Sequence, residues 1–329
     1  MITIRKDEII LYILYALHLN GIKELSFFFT NELELHDMTT HNSQKKKGVV
    51  HLPKGEQRMM NIESFEEYVK NKIKKQKEMD QATTNLISSD HNKLTINNFN
   101  LLKTLGKGGF GKVYLVQHKT TKELFALKTI KKLFIIEKKQ FEQVQREKEI
   151  LYEANHPFLV GLKAAFQTPD KLFFLMPFVQ GGDLYASLKR RKIFTEEEVR
   201  FFVAQIIEGL GFLHTKDIIY QDIKPENILM EKNGYIKLAD FGAAKYVSQT
   251  KNYKTFVGTA DYIAPEVLKK LPYTKSVDWW GVGILIFELL FGRTPFFNKN
   301  TKISFRMILT ENPIFPENAK VSEECKDFI

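Results

Sequence analysis

Gly106-x-Gly108-x-x-Gly111-x-Val113 lies between two predicted strands. Glycines in that pattern let the backbone approach a phosphate chain with no side chain in the way. A dinucleotide-binding turn has similar glycines but opens a helix after the third, whereas Val113-Tyr114-Leu115-Val116 continues as a strand. The local pattern therefore reads as a glycine-rich flap over a nucleotide. Lys128 closes the apolar run Leu124-Phe125-Ala126-Leu127 and is either solvated at the strand end or held inside by an anion. Val144, Glu147 and Leu151 recur at helical spacing, which puts a carboxylate on an apolar stripe 19 residues beyond Lys128. Such a carboxylate wants a cation, the alternative being two unrelated surface charges. Further on, Asp222 and Lys224 have the chemistry to handle a proton and a phosphate, while Asn227 and Asp240 offer oxygens suited to Mg²⁺. Asp-Phe-Gly alone is a common tripeptide; the joint order and spacing of these residues is not.

The elements that must position them are legible as well. Leu101 to Leu105, Val113 to Gln117 and Leu124 to Thr129 are short apolar runs parted by Gly, Lys and Thr turns, which predicts a small antiparallel sheet. The pattern turns helical after Phe141. Thr195-Glu196-Glu197-Glu198 is a capping box opening a helix with Val203, Ile206, Ile207, Leu210 and Leu213 on its apolar face. Asn233-Gly234 marks a hairpin. Val277 to Phe291 is apolar nearly all round and reads as a central buried helix, too short and too charged to span a membrane. A sheet-rich segment thus precedes a helix-rich one, an α+β order with no internal repeat.

The chain has 329 residues, 43% of them hydrophobic and 27% charged, with a net charge of +10. That composition is globular, and its length suits two packed lobes or two domains. The single cysteine, Cys325, excludes an internal disulfide and reads as a reducing, cytoplasmic setting. Residues 1–98 have a different texture. Ile9 to Leu19 is an apolar run too short for a spanning helix and without a small-residue cleavage site, so it is expected to be a short packing helix or a spurious extension, with a membrane anchor or signal as the alternative. Residues 37–60 are polar linker with Lys45-Lys46-Lys47, Ser64 to Glu67 is a capping box, and residues 80–98 are expected to be polar and flexible. The lysines from Lys70 to Lys77 lack an aromatic platform and read as a solvated helix face, so no nucleic acid is expected as a partner.

From Phe99 to the C-terminus the order of motifs closely resembles the eukaryotic protein kinases. Resemblance implies an N-terminal extension over 1–98 and a bilobal kinase domain over 99–329. The N-lobe would run from about 99 to 178, with a small sheet and one key helix, and a helical C-lobe from about 179 to 329. It implies ATP between the lobes with Mg²⁺. Leu105, Gly106, Lys107, Gly108, Gly109, Phe110, Gly111, Lys112 and Val113 would form the flap, and Ala126, Met176, Pro177 and Val179 the nucleotide pocket and hinge. Lys128 would hold the α/β-phosphates, paired with Glu147. Asp222 would accept the substrate hydroxyl proton, with Lys224 near the transferred phosphoryl, and Asn227 and Asp240 would hold the metal. Asp278 would brace the catalytic loop.

Asn155 to Val160, Gly181-Gly182-Asp183-Leu184, Thr255 to Thr259 and Asp278-Trp279-Trp280 are similar to the AGC serine/threonine kinases. The resemblance assigns Asp183, Glu226 and Glu288 to arginines upstream of a target serine or threonine, and Thr255 to phosphorylation by an upstream kinase. Two departures stand out. Gln221 replaces the arginine that usually binds that phosphothreonine, so Thr255 phosphorylation is expected to matter less, with Lys245 as a remaining partner. The sequence also stops where the family continues, which is expected to leave the C-lobe incomplete and Glu266 without its usual arginine. An ATP-dependent kinase is the expected activity, and a pseudokinase or scaffold without turnover the rival from another class.

Overall fold

The computed structural model describes residues 94–108, 111–138, 140–249, 259–317 and 319–329. Ile9 to Leu19, the Ser64 capping box, the lysine runs, Gly109, Phe110 and Thr255 lie outside the described residues. Strands β1 (Phe99–Gly108), β2 (Gly111–His118), β3 (Leu124–Lys131), β4 (Ala164–Gln167) and β5 (Lys171–Pro177) form one sheet in the order β1-β2-β3-β5-β4. Every pairing is antiparallel. Alternation along the strands divides the sheet into two faces. Tyr114, Val116, Phe125, Leu127, Phe173 and Leu175 join Phe99 in an outer apolar cluster. Register places Val113 opposite Lys128 and Lys128 opposite Phe174, and Leu115 opposite Ala126 and Ala126 opposite Met176, on the other face.

Two short helices follow the third strand: α1 (Lys132–Glu137) and α2 (Phe141–Glu153). Val144, Glu147, Ile150 and Leu151 are the buried residues of α2, so the stripe read from spacing is the face that packs inward. The polar stretch expected to be flexible up to Asn98 needs correction at its end. Leu94 and Ile96 pack on the outer cluster, and Ile96–Asn98 is a 3-10 helix whose cap Thr95 is bonded to Asn98. Two apolar side chains among polar neighbours are enough to seat this turn, because the sheet face beneath would otherwise be exposed.

The helical lobe contains α3 (Leu184–Arg191), α4 (Glu196–Thr215), α5 (Pro265–Leu268), α6 (Ser276–Phe291), α7 (Thr301–Thr310) and α8 (Glu323–Phe328). Thr195 caps α4 as a capping box, with Glu198 N donating to Thr195 Oγ1 at 3.3 Å and Thr195 N to Glu198 Oε2 at 2.9 Å. Helix α6 is buried along most of its length, as expected of a core helix. No helix among the described residues is long and apolar enough to cross a membrane. Short strands β6 (Ile218–Ile219) and β9 (Lys245–Tyr246) pair, and β7 (Ile228–Met230) and β8 (Ile236–Leu238) form the hairpin signalled by Asn233-Gly234, with Gly234 at φ +87°. One contiguous core runs through both lobes: Ile130, Val144, Leu151 and Phe174 belong to the same cluster as Leu210, Tyr220, Phe241 and Leu285.

Candidate active site

The cleft face of the sheet carries a lysine because β3 is in register there, and a lysine so deeply buried must be neutralised. Lys128 is 12% exposed at its side chain and bonds Glu147, itself 2% exposed. Asp240 Oδ1 lies 3.4 Å from the same ammonium. Burial pulls the Lys128 pKa down, but Glu147 and Asp240 more than reverse this and hold it above the ordinary lysine value. Of the two readings of Lys128, the structure gives the one held inside by an anion.

The loop after β6 gathers the second group. Lys224 Nζ donates to both oxygens of Asp222, at 2.9 and 2.8 Å, and to Thr259 Oγ1 at 3.1 Å. Asn227 Nδ2 donates to Asp222 O at 2.9 Å and Asp222 Oδ2 at 2.7 Å. Four residues thus fix one carboxylate and one ammonium side by side. The loop itself is fixed from below by Asp278 on α6, which is 1% exposed. Its carboxylate accepts from Tyr220 N at 2.9 Å and Gln221 N at 2.7 Å, and lies 2.7 Å from His214 Nε2. Tyr220 packs edge-on to Phe241, ring centroids 5.5 Å apart, and its hydroxyl donates to Ala239 O. Ala239 N in turn donates to Asn227 O at 2.8 Å, tying the residue before Asp240 to the loop.

Asp240 has φ +55°, a left-handed conformation costly for a residue with a Cβ and one that clusters at functional sites. Burial works against its ionisation, but Lys128, the Gly242 amide and Lys224 outweigh it and hold the carboxyl below the usual range. Among the described residues no group of three or more His, Cys, Asp or Glu side chains is arranged to hold a metal. Asn227 uses its N–H groups on Asp222, which leaves Oδ1, and the Asp240 side chain is half-exposed. A pair of hard oxygen donors fits Mg²⁺, which keeps several waters and takes phosphate oxygens.

The flap residues are partly visible. Lys107 stands opposite Lys112 and Gly108 opposite Gly111, while Leu105, Lys107 and Lys112 are exposed. A Cβ at Gly106 would meet nothing within 4 Å, as close approach of a ligand would require. At Gly111 the reason for glycine differs from the one read in the sequence: a Cβ there would lie 1.8 Å from Thr129 O, so β3 already demands it. Val113, Ala126 and Met176 share the cleft face with Lys128; Pro177 pairs with Phe125 at the end of β5, and Val179 is buried just beyond.

The three carboxylates expected to meet arginines are not alike. Glu226 is exposed. Glu288 bonds the Tyr262 hydroxyl, and burial, with Glu226 and Asp261 nearby, pushes its pKa up. Asp183, in contrast, caps α3, accepting from Ala186 N at 2.6 Å. Gln221 turns to Tyr273, donating from Nε2 to its hydroxyl at 2.9 Å, with its own backbone at φ +66°. Glu266 accepts from Ser276 Oγ at 3.4 Å. Sequence reasoning missed Thr259 as a partner of Lys224; its signal was its place in Thr255-Phe256-Val257-Gly258-Thr259, quoted only for likeness.

Residues 99–329 match the protein kinase domain. The whole chain is 38% identical over 335 residues to a RAC serine/threonine-protein kinase of Drosophila melanogaster, covering 54% of that protein. It is 43% identical over 244 residues to the RAC-beta serine/threonine-protein kinase of Homo sapiens, covering 74% of this chain and 50% of the relative. It is 44% identical over 224 residues to the cAMP-dependent protein kinase type 3 of Saccharomyces cerevisiae, covering 68% of this chain and 56% of the relative. The chain thus spans about half the length of the curated relatives it matches. With these likenesses and the two-lobed α+β fold, the chain belongs to the protein kinase family, in its AGC serine/threonine group.

Proposed function

We propose that this chain is an intracellular, ATP-dependent serine/threonine kinase that phosphorylates arginine-containing protein sites. The observation that carries the reading is a pair of charge clusters, Lys128 between Glu147 and Asp240 and Asp222 between Lys224 and Asn227, close enough that Lys224 also acts on Asp240. Residues 99–329 supply the catalytic unit and residues 1–98 an extension.

In this reading the cleft face of the sheet, with Val113, Ala126 and Met176, takes the adenine, and the flap from Leu105 to Val113 covers the phosphates. Lys128 binds phosphate oxygens without leaving its carboxylates, since an ammonium has three donors. Asn227 and Asp240 hold Mg²⁺, which when bound neutralises phosphate charge. Asp222 accepts the hydroxyl proton of the protein substrate at a carboxylate oxygen. Lys224, already bonded to Asp222, supplies positive charge beside the hydroxyl under attack, so positioning and electrostatics carry the catalysis. Glu226 and Glu288 receive the substrate's arginines. Asp183 contributes less, because one of its oxygens caps α3.

The test is Mg²⁺-dependent transfer from labelled ATP to an arginine-rich serine peptide, with Asp240→Asn alongside. Transfer that the variant abolishes is expected; a folded chain that binds ATP without transfer refutes the reading. A peptide with its arginines replaced by alanine separates the substrate preference from the activity, and equal rates on both peptides would remove the preference.

A further inference from the structure

Strand β6 (Ile218–Ile219) is flanked by two residues in left-handed backbone, Asp217 at φ +56° and Gln221 at φ +66°. Neither is glycine, so each is strained and persists only where its surroundings over-determine it. Asp278 accepts from the Gln221 amide from below, which fixes one atom of that residue. Both strained residues are also reached by side chains of one short segment, the loop between α5 and α6. Lys275 Nζ donates to Asp217 Oδ1 at 2.6 Å, and the Tyr273 hydroxyl accepts from Gln221 Nε2 at 2.9 Å.

The two contacts differ in weight. The Asp217 side chain is 73% exposed, so water competes with Lys275 for it. Tyr273 is 8% exposed, and it clusters with Ile219, Ala264 and Val277. Its hydroxyl is thus presented from a fixed position, and a bond withdrawn from water is costly to leave unmade. Gln221 Oε1 is buried with no partner among the described residues, so the side-chain amide is held through Nε2. The cluster also accounts for a neutral side chain at position 221. An arginine reaching the same hydroxyl would bring a charge to apolar surroundings and need an anion beside it, whereas an amide needs only the neutral acceptor that the phenol supplies. Gln221 directly precedes Asp222, so rotation about its backbone swings the carboxylate that Lys224 and Asn227 hold.

We propose that Tyr273 is a positioning residue for Asp222: its hydroxyl fixes the strained backbone of Gln221 through a bond that forms without phosphate on Thr255. The proposal rests on the reading of Asp222 as the acceptor of the substrate hydroxyl proton.

The test compares Tyr273→Phe, which keeps the ring and removes the hydroxyl, with Gln221→Leu, which removes the amide, and with the double variant. Each single variant is expected to lower kcat about three- to tenfold, with the KM for ATP and for peptide within about twofold. The double variant should fall no more than about twofold below the worse single one, because both substitutions remove the same bond. Tyr273→Phe should cause the same fold loss in a Thr255→Ala background as in wild type. Hydrogen exchange across residues 220–223 is expected to accelerate in Tyr273→Phe while α4 keeps its protection. Wild-type kcat in Tyr273→Phe, single losses that multiply in the double variant, or a loss that disappears in the Thr255→Ala background overturns the proposal. Exchange that rises equally in α4 marks a general loss of stability and overturns it too. If the wild-type chain transfers no phosphoryl group, the kinase reading fails, and exchange at residues 220–223 still decides whether Tyr273 holds the loop.

Discussion

The carboxylate of Asp278 offers a perturbation whose size can be worked out from its partners. It is 1% exposed, accepts from two consecutive backbone amides and meets His214. In Asp278→Asn one oxygen becomes an N–H donor, and the least damaging orientation aims it at Gln221 N while Tyr220 N and His214 keep their acceptor. One buried amide is then unsatisfied and the remaining bonds lose charge assistance, a cost of about 2–4 kcal/mol. For a domain of this size each kcal/mol corresponds to about 2–4 °C, so Tm should fall by roughly 5–15 °C. Activity should fall further than stability alone dictates. Gln221 sits at φ +66°, and releasing its amide lets the strained backbone relax, which moves the adjacent Asp222. A thermal melt with steady-state transfer checks this, and kcat should drop at least about tenfold, or ~1.4 kcal/mol, with the KM for ATP little changed. An Asn variant that melts and turns over like wild type would refute the bracing argument.

Lys128→Met should abolish transfer and leave Glu147 buried without its cation. Burial already pushes the Glu147 carboxyl up, with Lys128 as the offset, so in the variant the folded state takes up a proton more readily than the unfolded chain. Its Tm should therefore rise on acidification, and a pH-independent melt would contradict this. Gly111→Ala should cost about 1–3 kcal/mol because β2 must part from Thr129 O, whereas Gly106→Ala should be nearly neutral in stability; chemical denaturation distinguishes them. Thr255→Ala should keep more than about a tenth of wild-type activity, since Gln221 offers only neutral bonds, and a loss beyond ~1.4 kcal/mol in the barrier would count against that. Acidification toward the carboxylate range should raise the KM for arginine peptides through protonation of Glu288 ahead of ordinary glutamates, because burial, Glu226 and Asp261 push its carboxyl up. The same shift favours the folded state at low pH, so the effect should appear in KM and not as a lower Tm.

Much of this was legible because it is local. The continuation of Val113 to Val116 as strand separated the flap from a dinucleotide turn, and β2 bears that out. The helical stripe of Val144, Glu147 and Leu151 found the buried carboxylate, and Asn233-Gly234 found its turn. What escaped depends on contacts between residues distant in sequence. Nothing near Gly111 in the chain announces Thr129 O. Leu94 and Ile96 look like stray apolar residues in a polar stretch, for the surface that receives them is built from strands that come later.

Gly106 and Gly111, on opposite arms of the flap, have a mechanical consequence. The second arm of the hairpin is pressed onto β3 so tightly at Gly111 that even a methyl group is excluded. The first arm meets no such wall at Gly106, and its pairing with β2 slips in register between Leu101 and Lys103 and again between Thr104 and Gly106. The hairpin is thus clamped along one edge and compliant along the other. Entry and exit of a nucleotide would then be accommodated by peeling of the outer arm, like a cover hinged on one side, with β2 and the Lys128 strand as the fixed frame.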